Sequence, residues 1–476
     1  MARLEERDYT YFSTVRGMCR GCRETVPARV FFRDNKVWQQ ALCPDCRNEP
    51  ALIAADKAWY LANVLQAFPD HAPLKHAHAP KHGCPHDCGP CTWHSSPCQL
   101  PVISVTNACN LRCPICFTYN RADKTFFMPV GEFQRTVAWV VESSGAVDLI
   151  NVTGGEPTLH PQLLDLLACC KRPEIGRVTL NSNGIRLADD MDFCRRLAEL
   201  GVCVVLSLHA LDAETSIKIH GRDLVDVKLR AIDNLTRAGA RMTLLNVMIR
   251  NTNETVCERL LQMMRQNDQI LSLTIQTMTY TGQGGGGFTR GEHIPVDEAA
   301  RIVSSSSKGT LTFNDFLSRP SAHPLCYLTC FLLKDGDRWL PLTRLAPRDQ
   351  IAARMHDSYL LRLADGDDFF RSIIDQLYAR GELDSLQAMR RFVERLFPAD
   401  RALTAFERQR IAESAVRTVY IHAHMDEDTF DSARAMLCPD LVPAQPGRLI
   451  PACTYNLFYR QQDDRFYVNS ECGGRA

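Results

Sequence analysis

Three cysteines on one short stretch, Cys109-x3-Cys113-x2-Cys116, carry the sharpest chemical signal in the sequence. Thiolates so spaced can hold three irons of a cubane, which leaves the fourth iron for a small chelating molecule. Such a site is catalytic in kind, whereas a cluster held at all four irons is closed. Two further groups precede it. Cys84-x3-Cys88-x2-Cys91-x6-Cys98 sets four thiols among Gly83, Pro85, Gly89, Pro90 and Pro97, with neither helical nor strand period. Its natural use is to wrap a [4Fe–4S] cube, with a zinc site as the alternative. Cys19-x2-Cys22 and Cys43-x2-Cys46 make two knuckles suited to one tetrahedral ion, either structural zinc or a rubredoxin-like iron. Zinc is the default there.

These groups take eleven of the 21 cysteines before residue 117. A long intracellular chain needs no disulfides and keeps its thiols reduced, so the clustering reads as metal ligation. Cys169, Cys170, Cys194, Cys203 and Cys257 sit among apolar neighbours and read as core. His71, His76, His78 and His82 lie in a Pro/His-rich tract that reads as a linker.

The elements that must position the third group begin at Leu100. Strands are expected at Pro101–Thr106, Val147–Thr153, Arg177–Ser182, Val202–His209, Arg241–Ile249 and Leu271–Thr279. Helices are expected between them, at Met128–Ser143, Pro161–Lys171, Ala188–Gly201, Asp226–Gly239 and Asn253–Gln266. This alternation predicts an α/β fold, with a parallel sheet curled into a partial, TIM-like (βα)6 barrel. The cysteine loop follows the first strand, at the carboxyl end where such barrels build their sites. Upstream, Val30–Gln39 alternates like a hairpin, and a short helix is expected over Ala54–Phe68. Gly282–Gly287 reads as a plain connection, and Leu345–Val419 as a helical region over the barrel mouth, with helices at Asp367–Ala379 and Leu386–Leu396.

At 476 residues and roughly 150 per domain, about three domains are expected. The divisions fall at 1–50 (the four-cysteine ribbon), 51–99 (linker helix and cysteine loop), 100–300 (the partial barrel) and 301–476. A hydrophobic content of 45% excludes disordered and fibrous classes. Fifty-five basic residues balance 55 acidic ones, so no overall field draws nucleic acid. The apolar run Val202–Leu211 falls short of the roughly 20 residues of a membrane span, and the charged Met1–Thr10 speaks against a secretory signal. A cytoplasmic protein is expected, at most attached to a membrane surface.

Cys109-Asn110-Leu111-Arg112-Cys113-Pro114-Ile115-Cys116 resembles the cysteine motif of the radical SAM superfamily. Thr153-Gly154-Gly155-Glu156-Pro157 resembles that superfamily's GGEP element, and Asn181-Ser182-Asn183-Gly184 and Ser207-Leu208-His209 end strands where the family places further contacts to S-adenosylmethionine (SAM). The resemblance covers Leu100 to about Thr281. Ile115 departs from it, since many members carry an aromatic residue there. The resemblance implies that Cys109, Cys113 and Cys116 hold a catalytic [4Fe–4S] cluster, whose electron cleaves SAM to methionine and a 5′-deoxyadenosyl radical. It also implies SAM contacts from Gly154, Gly155, Glu156, Pro157, Asn181, Asn183, Ser207 and His209, and an electron donor such as flavodoxin or ferredoxin.

The ribbon, the Cys84–Cys98 group and the tail together resemble a narrower branch. It holds the archaeal tetraether lipid synthase and the class D methylases assigned to a pterin precursor. The tail elements are His323-Pro324-Leu325-Cys326, Ile421-His422-Ala423-His424-Met425-Asp426 and Ile450-Pro451-Ala452-Cys453-Thr454-Tyr455-Asn456. They imply a second auxiliary cluster, assigned to Cys326, Cys438 and Cys453, with Cys330 as fourth ligand and Cys472 as its alternative. His422 and His424 read equally as pocket-lining or structural. The leading expectation is a radical enzyme that alkylates an unactivated carbon, by C-methylation of a small molecule or by joining lipid chains. Sulfur insertion or peptide modification is the second enzymatic reading, and a non-catalytic iron–sulfur electron carrier the third.

Overall fold

The computed structural model describes residues 7–65, 74–118, 124–282, 284–285, 287–361, 366–445 and 447–466. His71, Phe68, Cys472 and part of the glycine-rich connection lie outside them.

The ribbon is an antiparallel sheet of four strands in sequence order: β1 (Thr10–Met18), β2 (Thr25–Arg33), β3 (Lys36–Ala41) and β4 (Ala51–Ala54). The hairpin is as expected. Asp34 and Asn35 turn it with φ of 51° and 58°, the left-handed pair that matches the twist of the flanking strands. The helix after it is shorter than expected, Lys57–Val64, started by the Asp56 carboxylate accepting from the amides of Ala58 and Trp59.

Six parallel strands then follow one another in space as in sequence: β5 (Leu100–Ser104), β6 (Val147–Thr153), β7 (Ile175–Ser182), β8 (Cys203–Ser207), β9 (Met242–Met248) and β10 (Ile270–Thr277). The helix expected over Ala188–Gly201 is instead two, Ile185–Asp189 and Met191–Glu199, because Asp190 leaves the helical conformation and caps the second through Phe193 N. A further helix, Ala213–His220, runs between the Asp212 cap and left-handed Gly221.

The C-terminal region departs most from expectation. Beyond β11 (Leu317–Ser318), β12 (Tyr327–Asp335) and β13 (Arg338–Pro341), it returns two strands to the parallel sheet. β14 (Val416–His422) lies parallel to β10, with Gln276 opposite His422. β15 (Asp440–Gln445) lies parallel to β5, with Asp440 opposite Leu100, and β16 (Arg448–Pro451) pairs with it antiparallel. The sheet curls. Alternate residues of every parallel strand, among them Val102, Asn151, Thr179, Val205, Leu245, Gln276, His422 and Val442, line one cavity of about 350 Å³. The two flanks meet where Tyr327 of β12 stacks on His422 at 4.1 Å and donates its hydroxyl hydrogen to Asp440 of β15.

The expected helices do form between β13 and β14. They run Asp367–Ala379, Leu383–Leu396 and Ala405–Ala415, around their own core of Phe370, Ile373, Leu377, Met389, Phe392 and Leu396. Glu413 anchors this unit under the sheet, 2.8 Å from both Arg177 of β7 and Arg241. Both cations bury against Glu413, so its removal strands two desolvated charges. Glu413→Gln is expected to lower unfolding free energy by about 3 kcal/mol. Asp233→Asn, which breaks the solvated Arg237–Asp233 pair, is expected to cost less than about 1 kcal/mol in the same urea titration.

Candidate active site

The ribbon site is the simplest. The sulfurs of Cys19, Cys22, Cys43 and Cys46 all lie within 4.8 Å of one another, the only such group among the described residues. Burial would raise the Cys19 thiol, but the Cys22 and Gly21 amides and the Asn48 side chain bring it down to about 6. That donor set fits a single tetrahedral ion.

In the second group, Cys84 and Cys88 are neighbours, and the Cys84 sulfur together with burial pushes the Cys88 thiol up, with Cys91 adding to the shift. Cys98 stands differently. It packs in the main core with Leu74 and Val105, against Ser144, and burial raises its thiol to about 12.

Cys109, Cys113 and Cys116 line the cavity, on the loop between β5 and the helix Val130–Ser144. Burial lifts Cys109 to about 11 and Cys113 to about 12, with Cys116 adding to both shifts and Cys109 to that of Cys113. No acceptor bonds join the three, while Leu111 N donates to Cys109 Sγ at 3.4 Å and His220 Nδ1 lies 3.6 Å from Cys113 Sγ.

The glycines after β6 hold this loop from behind. A Cβ on Gly154 would sit 2.3 Å from Thr106 O, and one on Gly155 2.2 Å from Ala108 O. The bare backbones therefore touch, and Gly155 N donates to Thr106 O at 2.8 Å and Glu156 N to Ala108 O at 2.7 Å. Glu156 is buried, and its carboxylate accepts from Thr158 N and Oγ1, Ser182 Oγ and Asn183 N. It ties three strand ends together, with Pro157 opening the short turn behind it. Asn183 bridges to Asn110 of the cysteine loop at 2.7 Å. Asn181 lines the cavity with a buried Oδ1 that has no partner. His209 accepts from Val247 N and stacks on His220. The glycine connection is more than a plain link, since Gly282 lies against the Phe117 backbone, 2.5 Å from the position of a Cβ.

Sequence reasoning passed over Lys228. Its ammonium is buried, 2.7 Å from Ser207 Oγ. Burial lowers it to about 8, against the pull of Cys113 and Glu156. The signal was there: Lys228 shares a helical face with Ala231 and Leu235, where a charge is out of place.

In the tail, Cys326, Cys438 and Cys453 converge: burial raises the Cys438 and Cys453 thiols, with Cys453 and Cys326 adding to the first shift and Cys326 to the second. Arg434, itself buried, donates Nε and Nη2 to Cys326 Sγ at 3.4 Å. Cys330 is a correction. It points from β12 into the core, and its electrostatic neighbours are Asp315, Arg344 and Arg348 rather than any of the three thiols. His424 takes the nearer place, its Nδ1 3.6 Å from Cys453 Sγ and its ring stacked on Phe117 at 4.6 Å.

Residues 103–264 match the family model of the Radical SAM superfamily, and this part of the chain is a radical SAM domain. Such a domain implies SAM and a [4Fe–4S] cluster, and the donors present fit: three unlinked thiols on one cavity wall with the orphaned Asn181 Oδ1 on the same wall. Over 484 aligned residues, 95% of each chain, it is 24% identical to 7,8-dihydro-6-hydroxymethylpterin dimethyltransferase of Methanocaldococcus jannaschii. It is 33% identical to GTP 3',8-cyclase of Chlorobaculum tepidum over 37% of this chain and 52% of that protein. Among solved structures, Streptococcus suis SuiB bound to S-adenosylmethionine is 20% identical, covering 44% of this chain and 46% of that one at a TM-score of 0.37.

Among the described residues no helix is long and apolar enough to cross a membrane.

The contact at Gly155 gives a direct check. Gly155→Ala is expected to push Ala108 and the Cys109 loop aside, so that the anaerobically reconstituted protein loses about four irons per chain and the matching EPR signal, as Cys109→Ala does.

Proposed function

We propose that this chain is a radical SAM methylase acting on a ring carbon of a pterin-like heterocycle, with auxiliary iron–sulfur clusters at Cys84/Cys88/Cys91 and at Cys326/Cys438/Cys453. The observation that carries the reading is the inner face of the sheet. A parallel sheet buried on both faces ordinarily reads as Val, Ile and Leu, yet Asn151, Thr179, Asn181, Thr243, Ser272 and Gln276 point into this cavity. Thr179 already bonds Asn151 and Thr243 bonds Ser272 within the wall, but an alkyl chain would leave Asn181 Oδ1 unpaired at a desolvation cost, whereas a heterocycle edged with N–H groups satisfies it. That favours a small polar substrate over the joining of lipid chains. The full-length similarity to a pterin dimethyltransferase supports the same substrate class.

Cys109, Cys113 and Cys116 would hold the catalytic cluster, and Asn181, with Ser207 positioned by Lys228, would contact SAM beside it. With SAM, a reduced cluster of this kind supplies the 5′-deoxyadenosyl radical that takes hydrogen from an unactivated C–H. The chain's own part is orientation and exclusion of water. Glu156 and the two glycines fix the cysteine loop, and Phe117, His424 and Tyr455 wall the cavity near it.

With dithionite supplying two electrons, one SAM cleaved to the radical and a second SAM giving up its methyl group as S-adenosylhomocysteine, the reconstituted protein is expected to convert 7,8-dihydro-6-hydroxymethylpterin to a methylated pterin with release of 5′-deoxyadenosine, both read by mass spectrometry. The triple variant Cys109→Ala, Cys113→Ala, Cys116→Ala is expected to lose both products, and undiminished SAM cleavage in it defeats the assignment. Metal analysis is expected to return three cubanes and one single ion.

A further inference from the structure

We infer that Asp440 is the residue that selects the substrate, by accepting hydrogen bonds from the amino–amide edge of a 2-amino-4-oxopyrimidine ring. The inference rests on the proposed pterin-like substrate and adds which atoms recognise it. Asp440 is 3% exposed, lines the cavity, and uses its two oxygens unequally. Oδ2 accepts from the Tyr327 hydroxyl and lies 3.6 Å from His422 Nε2. Oδ1 is buried without a partner. A buried carboxylate oxygen with no donor is costly, and in a cavity wall the missing donor is one that a ligand brings.

The surroundings hold that oxygen in place. Tyr327 and His422 stack at an interplanar angle of 8°, so both groups behind Oδ2 are fixed by packing. Backbone pairing of Asp440 with Leu100 fixes the carboxylate from the other flank. Gln276 stands opposite His422 in the β10–β14 register and faces the same cavity. A carboxylate and an amide on one cavity wall, with His422 between them, match a ring that offers an amino group and an N–H to the first and a carbonyl to the second. A lipid chain, or a ring whose amino group is replaced by a carbonyl, supplies no such set of donors.

The full-length reconstituted protein would be titrated anaerobically with two fluorescent rings, 6-hydroxymethylpterin and 6-hydroxymethyllumazine, in which a carbonyl replaces the 2-amino group. Wild type is expected to prefer the pterin by about tenfold or more. Asp440→Asn is expected to weaken pterin binding by about 10- to 100-fold and to erase the preference, with iron content and Tm kept. Tyr327→Phe, which keeps the stacked ring and the Asp440 carboxylate but removes the bond to Oδ2, is expected to bind pterin more weakly and still to prefer it. Equal wild-type affinity for the two rings, or unchanged pterin binding by iron-replete Asp440→Asn, overturns the inference, and the wild-type comparison decides if that variant does not fold. A wild type that binds neither ring defeats the pterin reading itself.

Discussion

Two adjacent residues without side chains set the geometry of this protein's chemistry. At Gly154 and Gly155 the end of β6 lies against the backbone of Thr106 to Ala108, closer than any Cβ permits. The cysteine loop begins at the next residue, so its height above the sheet is fixed by contact between two main chains. Glu156 then reaches the amide of Asn183 and the hydroxyl of Ser182 at the end of β7. The carboxylate thereby joins the ends of β6 and β7, the amides of Gly155 and Glu156 tie in the end of β5, and the loop with three thiols has little freedom left. A cluster site built on such a loop needs this support, because the described residues of the loop form no helix or strand.

The sheet poses the complementary problem of closure. Six βα steps build a curved wall open on one side. The chain fills that side with β14 against β10 and β15 against β5, both delivered from the C-terminal region. Tyr327, His422 and Asp440 join the two flanks across the remaining gap. Asp440, which helps to finish the wall, thus also lines the cavity with one carboxylate oxygen unpartnered.

The core of this design was legible in the sequence because its signals are local. Motif spacing identified the Cys109 loop, and apolar runs between helical stretches located β5 to β10 to within a few residues. The return of β14 and β15 was not legible. Strand pairing across more than a hundred residues leaves no periodic trace, and Val416–His422 reads as a short apolar run at the end of a helical stretch. Cys330 was assigned to a cluster for the same reason. The tail motifs carry no sign of the pairing of β12 with β14 that puts the Cys330 side chain in the core. Lys228 and Asp440 escaped notice because a single charge carries meaning only once its burial is known.

The ribbon is bound into the same arrangement. Arg20 and Arg23 pair with Asp428 and Glu427, and Gln39 donates to the carbonyl of Phe430. The loop so gripped follows His424 directly, and its Asp426 accepts from Tyr280 N just after β10. Met18, beside the first ribbon cysteine, packs in one apolar cluster with Cys84 and Cys453. His424 touches Cys453 on one side and Phe117 on the other, and Phe117 follows Cys116 in the chain. All four cysteine groups are therefore joined by direct packing, with the ribbon outermost and the Cys109 loop innermost. An ion held by the four ribbon thiols would stabilise their two knuckles, and through Arg20, Arg23 and Gln39 it would also hold the loop on which the tail thiols and His424 depend.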